Sequence, residues 1–410
     1  KMLFLFVLLL SLTGMLKAQV TTAGMSGKVM ADEESVIGAT VVAVHEPSGT
    51  SYGTVTNVDG RFSLQGMRSG GPYKVTVSYI GYQTAIYTDI QLQLGETYSL
   101  NVTLHEASEL LGEITITASK SKFSAEKTGA TTNISSEQLT TLPSINRSIS
   151  DFTRISPYAS GNSFGGRDGR SNTFTVDGAN LNNNFGLSSG LPGGGNPISL
   201  DAIDEVQVVI APYDVRQANF IGAGINAITK SGTNAYRGSA YMYFNNEVMR
   251  GNKIGDTDFG VRAEESKTVY GATFGGPIIK DKLFFFANVE YEKSPQQVIT
   301  WRAAKEGETP NNSTISRTTE ADLAEFSQIL KDKYGYNTGS FTDFPADVTN
   351  LKLLGRIDWN INQGNKLSVR YNFTNNKTWE APNGSSGNTG YRLAYNRVSA
   401  YSMSYALSLI

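Results

Sequence analysis

The sequence predicts a mostly β chain in three parts: a small β-sandwich, a mixed α+β domain, and long antiparallel strands with one apolar face. Three observations carry this. Short β-rich runs recur between turn signals over the first hundred residues. A polar, glycine-rich, aromatic-poor stretch follows. From Tyr236 onward, apolar and polar residues alternate over about ten residues at a time. With 42 glycines among 410 residues and 20 tyrosines with 19 phenylalanines, composition agrees with many strands and turns.

The first residues and the overall balance set the compartment. Lys1-Met2 precedes the apolar run LFLFVLLLSL, and Leu16-Lys17-Ala18 offers a cleavage site. Residues 1–18 are expected to be a secretory signal, because the run is far shorter than the ~20 residues of a membrane-spanning helix. There is no cysteine, so the exported chain is stabilised without disulfides and carries neither a lipid-anchored cysteine nor a thiolate metal site. The formal net charge of −2 supplies no field for nucleic acid.

Residues 22–106 form the sandwich. Gly38 to Val44 is one β-rich run, Asn57-Val58-Asp59-Gly60 a tight turn, Lys74 to Ile80 a clean alternation, and Tyr98 to Leu104 the closing run. In 107–119, Glu113-Ile114-Thr115-Ile116-Thr117 alternates like a strand with no hairpin partner before it. It is either the first strand of the next domain or an edge offered to another protein. Residues 120–235 are the mixed domain. Ser136 to Leu139 starts a short helix, Thr173 to Val176 is a strand entering the Asp177-Gly178 turn, and Asp204 to Ile210 is another strand.

Residues 236–410 carry the strongest pattern. Tyr236 to Asn245, Lys282 to Tyr291, Leu351 to Ile361 and Leu367 to Thr374 each alternate apolar with polar. A half-buried soluble sheet has the same pattern; the connections separate the two. Ile279 to Asp281 and Asn362 to Asn365 are tight turns, whereas Val248 to Ser266, Ser294 to Thr349 and Lys377 to Tyr395 are long. Strict alternation of short and long links is that of an outer-membrane barrel. The stretch ADLAEFSQILKDKY, Ala321 to Tyr334, is expected to form a small helix in the longest loop. Six strands fit after Tyr236, and plugged barrels have about 22. A complete chain of roughly 900 residues is therefore expected from that strand count, and Lys1 suggests an incomplete start.

No catalytic set survives inspection. Gly161-Asn162-Ser163-Phe164-Gly165 matches G-x-S-x-G, but both histidines, His45 and His105, lie earlier in the chain. Gly222 to Ala227 matches G-x-G-x-x-A, yet a strand-like run follows instead of a helix. Gly193-Gly194-Gly195 has no lysine behind it. DGANLNNN lacks the spacing and terminal glutamate of a calcium loop. The chain is expected to be no enzyme and to hold no cofactor or metal, its two histidines being surface residues.

Resemblance adds to this reading. IGATVVAV, GTVTNVDGRFSLQGM and YKVTVSYIGYQT resemble the carboxypeptidase regulatory-like domain, a transthyretin-like sandwich; the HExxH pattern is absent, since Gly49 and Glu109 stand where a second histidine would be. Glu113 to Thr117 resembles a TonB box. FTVDGANLNNNFG, PYDVRQANFIGAGINAITKSGTN and GGPIIKDKLFFFANVEYEK together resemble the Oar-like branch of TonB-dependent outer-membrane transporters. That resemblance implies that residues 120–235 are a plug inside the barrel. It implies energy-coupled uptake of a nutrient-type ligand, with a TonB-type periplasmic protein bound at Glu113, Ile114, Thr115, Ile116 and Thr117. Outer-membrane lipid, an extracellular ligand and a surface lipoprotein are further expected partners, with the sandwich in the periplasm. Siderophore, glycan, peptide and protein all stay open as ligand. An adhesin without active transport is the alternative, and it needs no coupling strand.

Within APYDVRQANFIGAGINAITKSGTN, Gly222 and Gly224 are expected to bring the plug backbone close to the wall. Asp214 and Arg216, two apart, share one face of a strand. They are expected to pair with lumen charges such as Arg237, Glu290, Arg356 or Asp358; the bland alternative is a solvated pair worth ~0–1 kcal/mol.

Overall fold

The computed structural model describes residues 20–31, 33–106, 114–117, 130–142, 144, 147–182, 196–212, 217, 220–258, 266–295, 302–310, 315–339, 347–362, 364–380 and 396–409. Residues 1–18, Glu113, Asp214 and Arg216 lie outside the described residues.

The N-terminal domain is a two-sheet sandwich. In one sheet β1 (Ala23–Ala31) is flanked by the two residues Glu34–Ser35 and, further down, by the strand Arg61–Met67. The other sheet contains β2 (Thr40–His45), β3 (Thr50–Val55), β5 (Gly70–Ser78) and β6 (Ala85–Leu92), with β4 being Arg61–Met67 of the first sheet. Alternate residues Val41, Ala43, Val75 and Val77 enter a core shared with Met25, Val29, Phe62 and Leu64, as period-2 strands facing one another require. The Asn57–Gly60 turn does not close a hairpin. It carries the chain from β3 in one sheet to β4 in the other, with the Asn57 side chain accepting from the Asp59 and Arg61 amides. The expected closing run Tyr98 to Leu104 is two strands, β7 (Thr97–Ser99) and β8 (Val102–Leu104), both parallel to β1. Between them the Leu100 amide still donates to the Ser26 carbonyl, while the Asn101 side-chain oxygen accepts from the Lys28 amide.

His45 corrects its surface assignment. It is 5% exposed, its Nδ1 lies 2.7 Å from Ser48 Oγ, and burial followed by the charge of Arg68 lowers its pKa to about 3. It is a neutral core residue at physiological pH.

Strand β9 (Ile114–Thr117) is added to the edge of the second sheet, parallel to β6, with Ile114 opposite Ala85 and Thr117 opposite Thr88. The sheet order is β9-β6-β5-β2-β3.

The middle domain is a mixed sheet of order β10-β13-β14-β11-β12, from β10 (Ala130–Ser135), β11 (Thr173–Val176), β12 (Ala179–Asn180), β13 (Ile203–Ala211) and β14 (Gly224–Thr229). Helix α1 (Ser136–Thr141) starts where expected because Ser135 and Gln138 form a reciprocal capping box. Helix α2 (Ile149–Thr153) follows, burying Ile149 and Phe152. The G-x-S-x-G match is a two-stranded turn, Ala159–Ser160 against Ser163–Phe164, with no helix behind it.

The third part is a single antiparallel sheet in strict chain order: β15 (Arg237–Asn246), β16 (Ser266–Ile279), β17 (Leu283–Pro295), β18 (Asp347–Asn362), β19 (Asn365–Glu380) and β20 (Asn396–Leu409). The predicted faces separate in β17, β18 and β19, whereas β15, at the sheet edge, is exposed on both. Val289, Leu353, Ile357, Trp359, Val369 and Tyr371 are exposed on one side, while Glu290, Lys352, Arg356, Asp358, Arg370 and Asn372 are buried on the other. Exposed apolar residues and buried charges invert a soluble sheet and match a wall with lipid on its apolar side and the middle domain, called the plug below, on its polar side. Phe286 and Leu354 break the polar face because they join the plug core around Phe174 and Ile203. Helix α3 (Glu320–Tyr334) sits in the longest loop, capped by Thr319 with Asp322 and ended by Gly335 in the left-handed region.

Candidate functional site

The register of the wall lines up polar residues in rows across strands. Tyr241, Gly271, Glu290, Lys352 and Thr374 stand opposite one another on five consecutive strands. Gly271 is what makes this row work. A Cβ there would lie 2.1 Å from the Tyr241 ring, so only glycine lets Tyr241 lie across β16 and donate from its hydroxyl to Glu290 Oε2 at 2.8 Å. Glu290 also accepts from Lys352 Nζ at 2.8 Å and from Ser199 Oγ of the plug at 2.8 Å. At the end of the same row, Thr374 donates to the Pro197 carbonyl at 2.6 Å. The plug segment Pro197–Ser199 is therefore held by the wall through hydrogen bonds.

A second row lies toward the short turns. Asp177, at positive φ in the Asp-Gly turn, is buried and accepts from the Thr229 amide at 3.0 Å and hydroxyl at 2.6 Å. Arg356 and Arg370 approach the same carboxylate at 3.8 and 3.5 Å. Arg356 donates to the Thr229 carbonyl and grips Asp358 with two nitrogens, at 2.7 and 3.0 Å. Two guanidiniums and two carboxylates thus neutralise each other across the seam. Removing one member of such a buried set costs about 3–5 kcal/mol, because its partners stay desolvated. Arg147 of the plug adds a third contact. Its guanidinium pairs with Asp201 and lies 3.7 Å over the Tyr243 ring.

Asp214 and Arg216, expected to pair with these lumen charges, lie outside the described residues. Among the described residues, Glu290, Arg356 and Asp358 face the plug and meet Ser199, Asp177, Thr229 and, from the sandwich, Arg68. Arg237 is exposed. Gly222 and Gly224 are tight against the plug itself: a Cβ at Gly222 would meet Asn172 Oδ1 at 2.3 Å, and one at Gly224 the Phe220 ring at 2.7 Å. Their close approach is internal, to neighbouring loops rather than to the wall. The glycine that meets the wall is Gly232, where a Cβ would lie 2.5 Å from the Phe285 carbonyl and 2.7 Å from that of Gly276. Asp177 was visible in the sequence as the acid of a strand-ending Asp-Gly, yet its charged partners Arg356 and Arg370 come from strands more than 170 residues later.

The sandwich also touches the seam. Leu94, in the link between β6 and β7, donates its amide to Glu205 of β13 at 3.1 Å, and Gln207 donates to the Leu94 carbonyl. Arg68 reaches Asp358 at 3.4 Å. The hydroxyls of Ser199 and Thr229 are bonded to the carboxylates of Glu290 and Asp177 as part of the seam. Among the described residues, no group of three or more metal-ligating side chains converges.

Comparison with known proteins fits this architecture. Residues 24–105 match the carboxypeptidase regulatory-like domain, and residues 228–408 match the outer membrane beta barrel domain. The TonB-dependent transporter Oar of Myxococcus xanthus is 25% identical over 344 residues, covering 79% of this chain and 30% of its own length. The chain thus spans about a third of that relative. Among solved structures, the siderophore receptor PirA from Pseudomonas aeruginosa aligns with a TM-score of 0.42 and 15% identity, over 69% of this chain and 38% of its own. The outer membrane transporter YddB from Escherichia coli aligns at 0.45 and 13%, over 68% and 36%. The chain is homologous to the TonB-dependent transporter Oar and, joining a regulatory-like sandwich to an outer-membrane β-barrel domain, is a protein of the outer membrane.

Proposed function

We propose that this protein takes part in energy-coupled transport of a nutrient-type ligand across the outer membrane, powered by a TonB-type protein of the periplasm. The observation that carries the reading is the seam. A plug sheet is seated on the lumen face of the wall by Asp177, Thr229, Pro197 and Ser199, groups whose hydrogen bonds water can replace when the plug shifts. The name of the Oar relative supports the same reading. An adhesin has no use for a seam of exchangeable bonds.

The coupling role falls to Glu113, Ile114, Thr115, Ile116 and Thr117. Ile114–Thr117 pairs with β6 along one edge, and its other edge has no strand partner among the described residues. A partner strand adding there binds mainly through main-chain hydrogen bonds. Thr115→Pro removes a ladder donor and fixes φ, whereas Thr115→Val keeps both.

The test is growth of cells carrying the full-length gene on a panel of ferric siderophores, oligosaccharides and peptides. Thr115→Pro is expected to abolish growth on the same nutrient that requires both this gene and the TonB-type gene, with Thr115→Val near wild type. Unchanged growth with Thr115→Pro, at normal outer-membrane levels, overturns the coupling role.

A further inference from the structure

The end of the sandwich that carries His45, Thr50, Arg68 and Leu94 lies against both plug and wall. On the plug side, Leu94 is bonded through its amide and carbonyl to Glu205 and Gln207, and its side chain packs with Val20 and Ile228 in a small apolar cluster. Asn133 of β10 adds bonds to Gln93 at 3.3 Å and Glu96 at 3.1 Å. On the wall side, Asn360 donates to Thr50 Oγ1 at 2.9 Å, the Asn234 amide to the Pro47 carbonyl at 2.8 Å, and Arg68 pairs with Asp358. Lys366 places its ammonium over the Tyr52 ring. These contacts fall at the two short turns of the wall and on β13 and β14, so the sandwich covers the plug from the side of those turns.

The chemistry of this interface is that of a joint made to open. It is dominated by hydrogen bonds and ion pairs, with one three-residue apolar cluster, and inter-domain surfaces of that kind separate readily. Asp358 and Asn360 keep partners once the sandwich leaves, Asp358 bonded to Arg356 and Ser368 and Asn360 to the Asp281 carbonyl, while Lys366 trades the Tyr52 ring for water. Undocking therefore strands few charges. On the plug, by contrast, Leu94 is held by alternate residues of β13, an interior strand paired with β10 on one side and β14 on the other. We propose that the sandwich is a releasable cap that holds the plug in place from the side of the short turns, and that its undocking precedes plug movement. The role rests on the transport reading above; the holding does not.

The cap is testable without a transported ligand. Residues 1–410 hold no cysteine, so with any cysteine elsewhere in the full-length protein replaced by serine, Thr50→Cys with Asn360→Cys introduces one defined pair, its parent side chains already within hydrogen-bond reach. In the full-length protein in nanodiscs, this pair is expected to oxidise to a disulfide in most molecules. Hydrogen exchange at the amides of Ile203–Ala211 and Gly224–Thr229 should then slow at least tenfold relative to the reduced form. A control disulfide from Ser239→Cys and Thr273→Cys, facing pairs on adjacent wall strands, should leave those amides unchanged. Arg68→Ala, which loosens the cap without adding a bond, should speed them severalfold. Failure of the first pair to oxidise overturns the docked cap. Oxidation with unchanged exchange, or equal slowing by the control, overturns the holding role. Growth on the nutrient panel decides the transport reading separately.

Discussion

Glu205 shows how one side chain joins two domains. It is buried at the sandwich–plug joint, and burial, then the charges of Asp204 and Glu96, raise its pKa from 4.5 to about 8, while the Leu94 amide opposes the shift. A carboxyl with a raised folded pKa stays protonated in the folded state while the unfolded chain ionises. Stability is therefore full below about pH 4.5, falls as pH rises toward 8, and is level above. At about 1.4 kcal/mol per unit, the loss is a few kcal/mol at most. Glu205→Gln retains an acceptor for Leu94 and removes the ionisation. Urea melts of the full-length protein followed between pH 5 and 8.5 should show wild type losing stability while Glu205→Gln stays flat. A flat wild-type profile would rule out a protonated Glu205.

At the scale of elements, the loop leaving β14 decides how closely plug and wall approach. Gly232 lies against two wall carbonyls that belong to ladder-bonded strands and cannot move aside. Gly222 faces the end of the Asn172 side chain, which can rotate away at the loss of its bond to the Ala223 amide. Gly232→Ala is thus expected to unseat the plug, costing more than about 2 kcal/mol as an overpacked site does. Gly222→Ala should cost about 1 kcal/mol, the value of one hydrogen bond. Protease sensitivity of the plug in purified protein reads the difference. Equal sensitivity of the two variants would mean that Gly232 does not touch the wall.

For the whole molecule, orientation follows from the links. The sandwich lies at the end of the wall where the short turns are, and α3 belongs to the longest link at the other end. A single cysteine at Lys333, exposed on α3, is expected to react with an impermeant thiol reagent on intact cells expressing the full-length protein. A cysteine at Lys280, in a short turn, should react only after the outer membrane is permeabilised. The reverse pattern would invert the topology, and equal labelling would contradict a membrane-spanning wall.

The strands and their faces were legible in the sequence. Alternation from Tyr236 onward, the tight turns at Lys280 and Gly364, and the capping residues Ser135 and Thr319 act through neighbours a few positions away, and local pattern records local physics. The kind of protein was legible there too, because lipid demands a closed hydrogen-bonded wall whose outward face is apolar. Which charges meet was legible only once the chain was packed. Asp177 finds Arg356 and Arg370, Ser199 finds Glu290, and Leu94 finds Glu205, each across more than 90 residues. Local pattern carries no register between distant strands. For the same reason Gly222 and Gly224 looked like wall contacts: a glycine announces a close approach, and only the packed chain says to what.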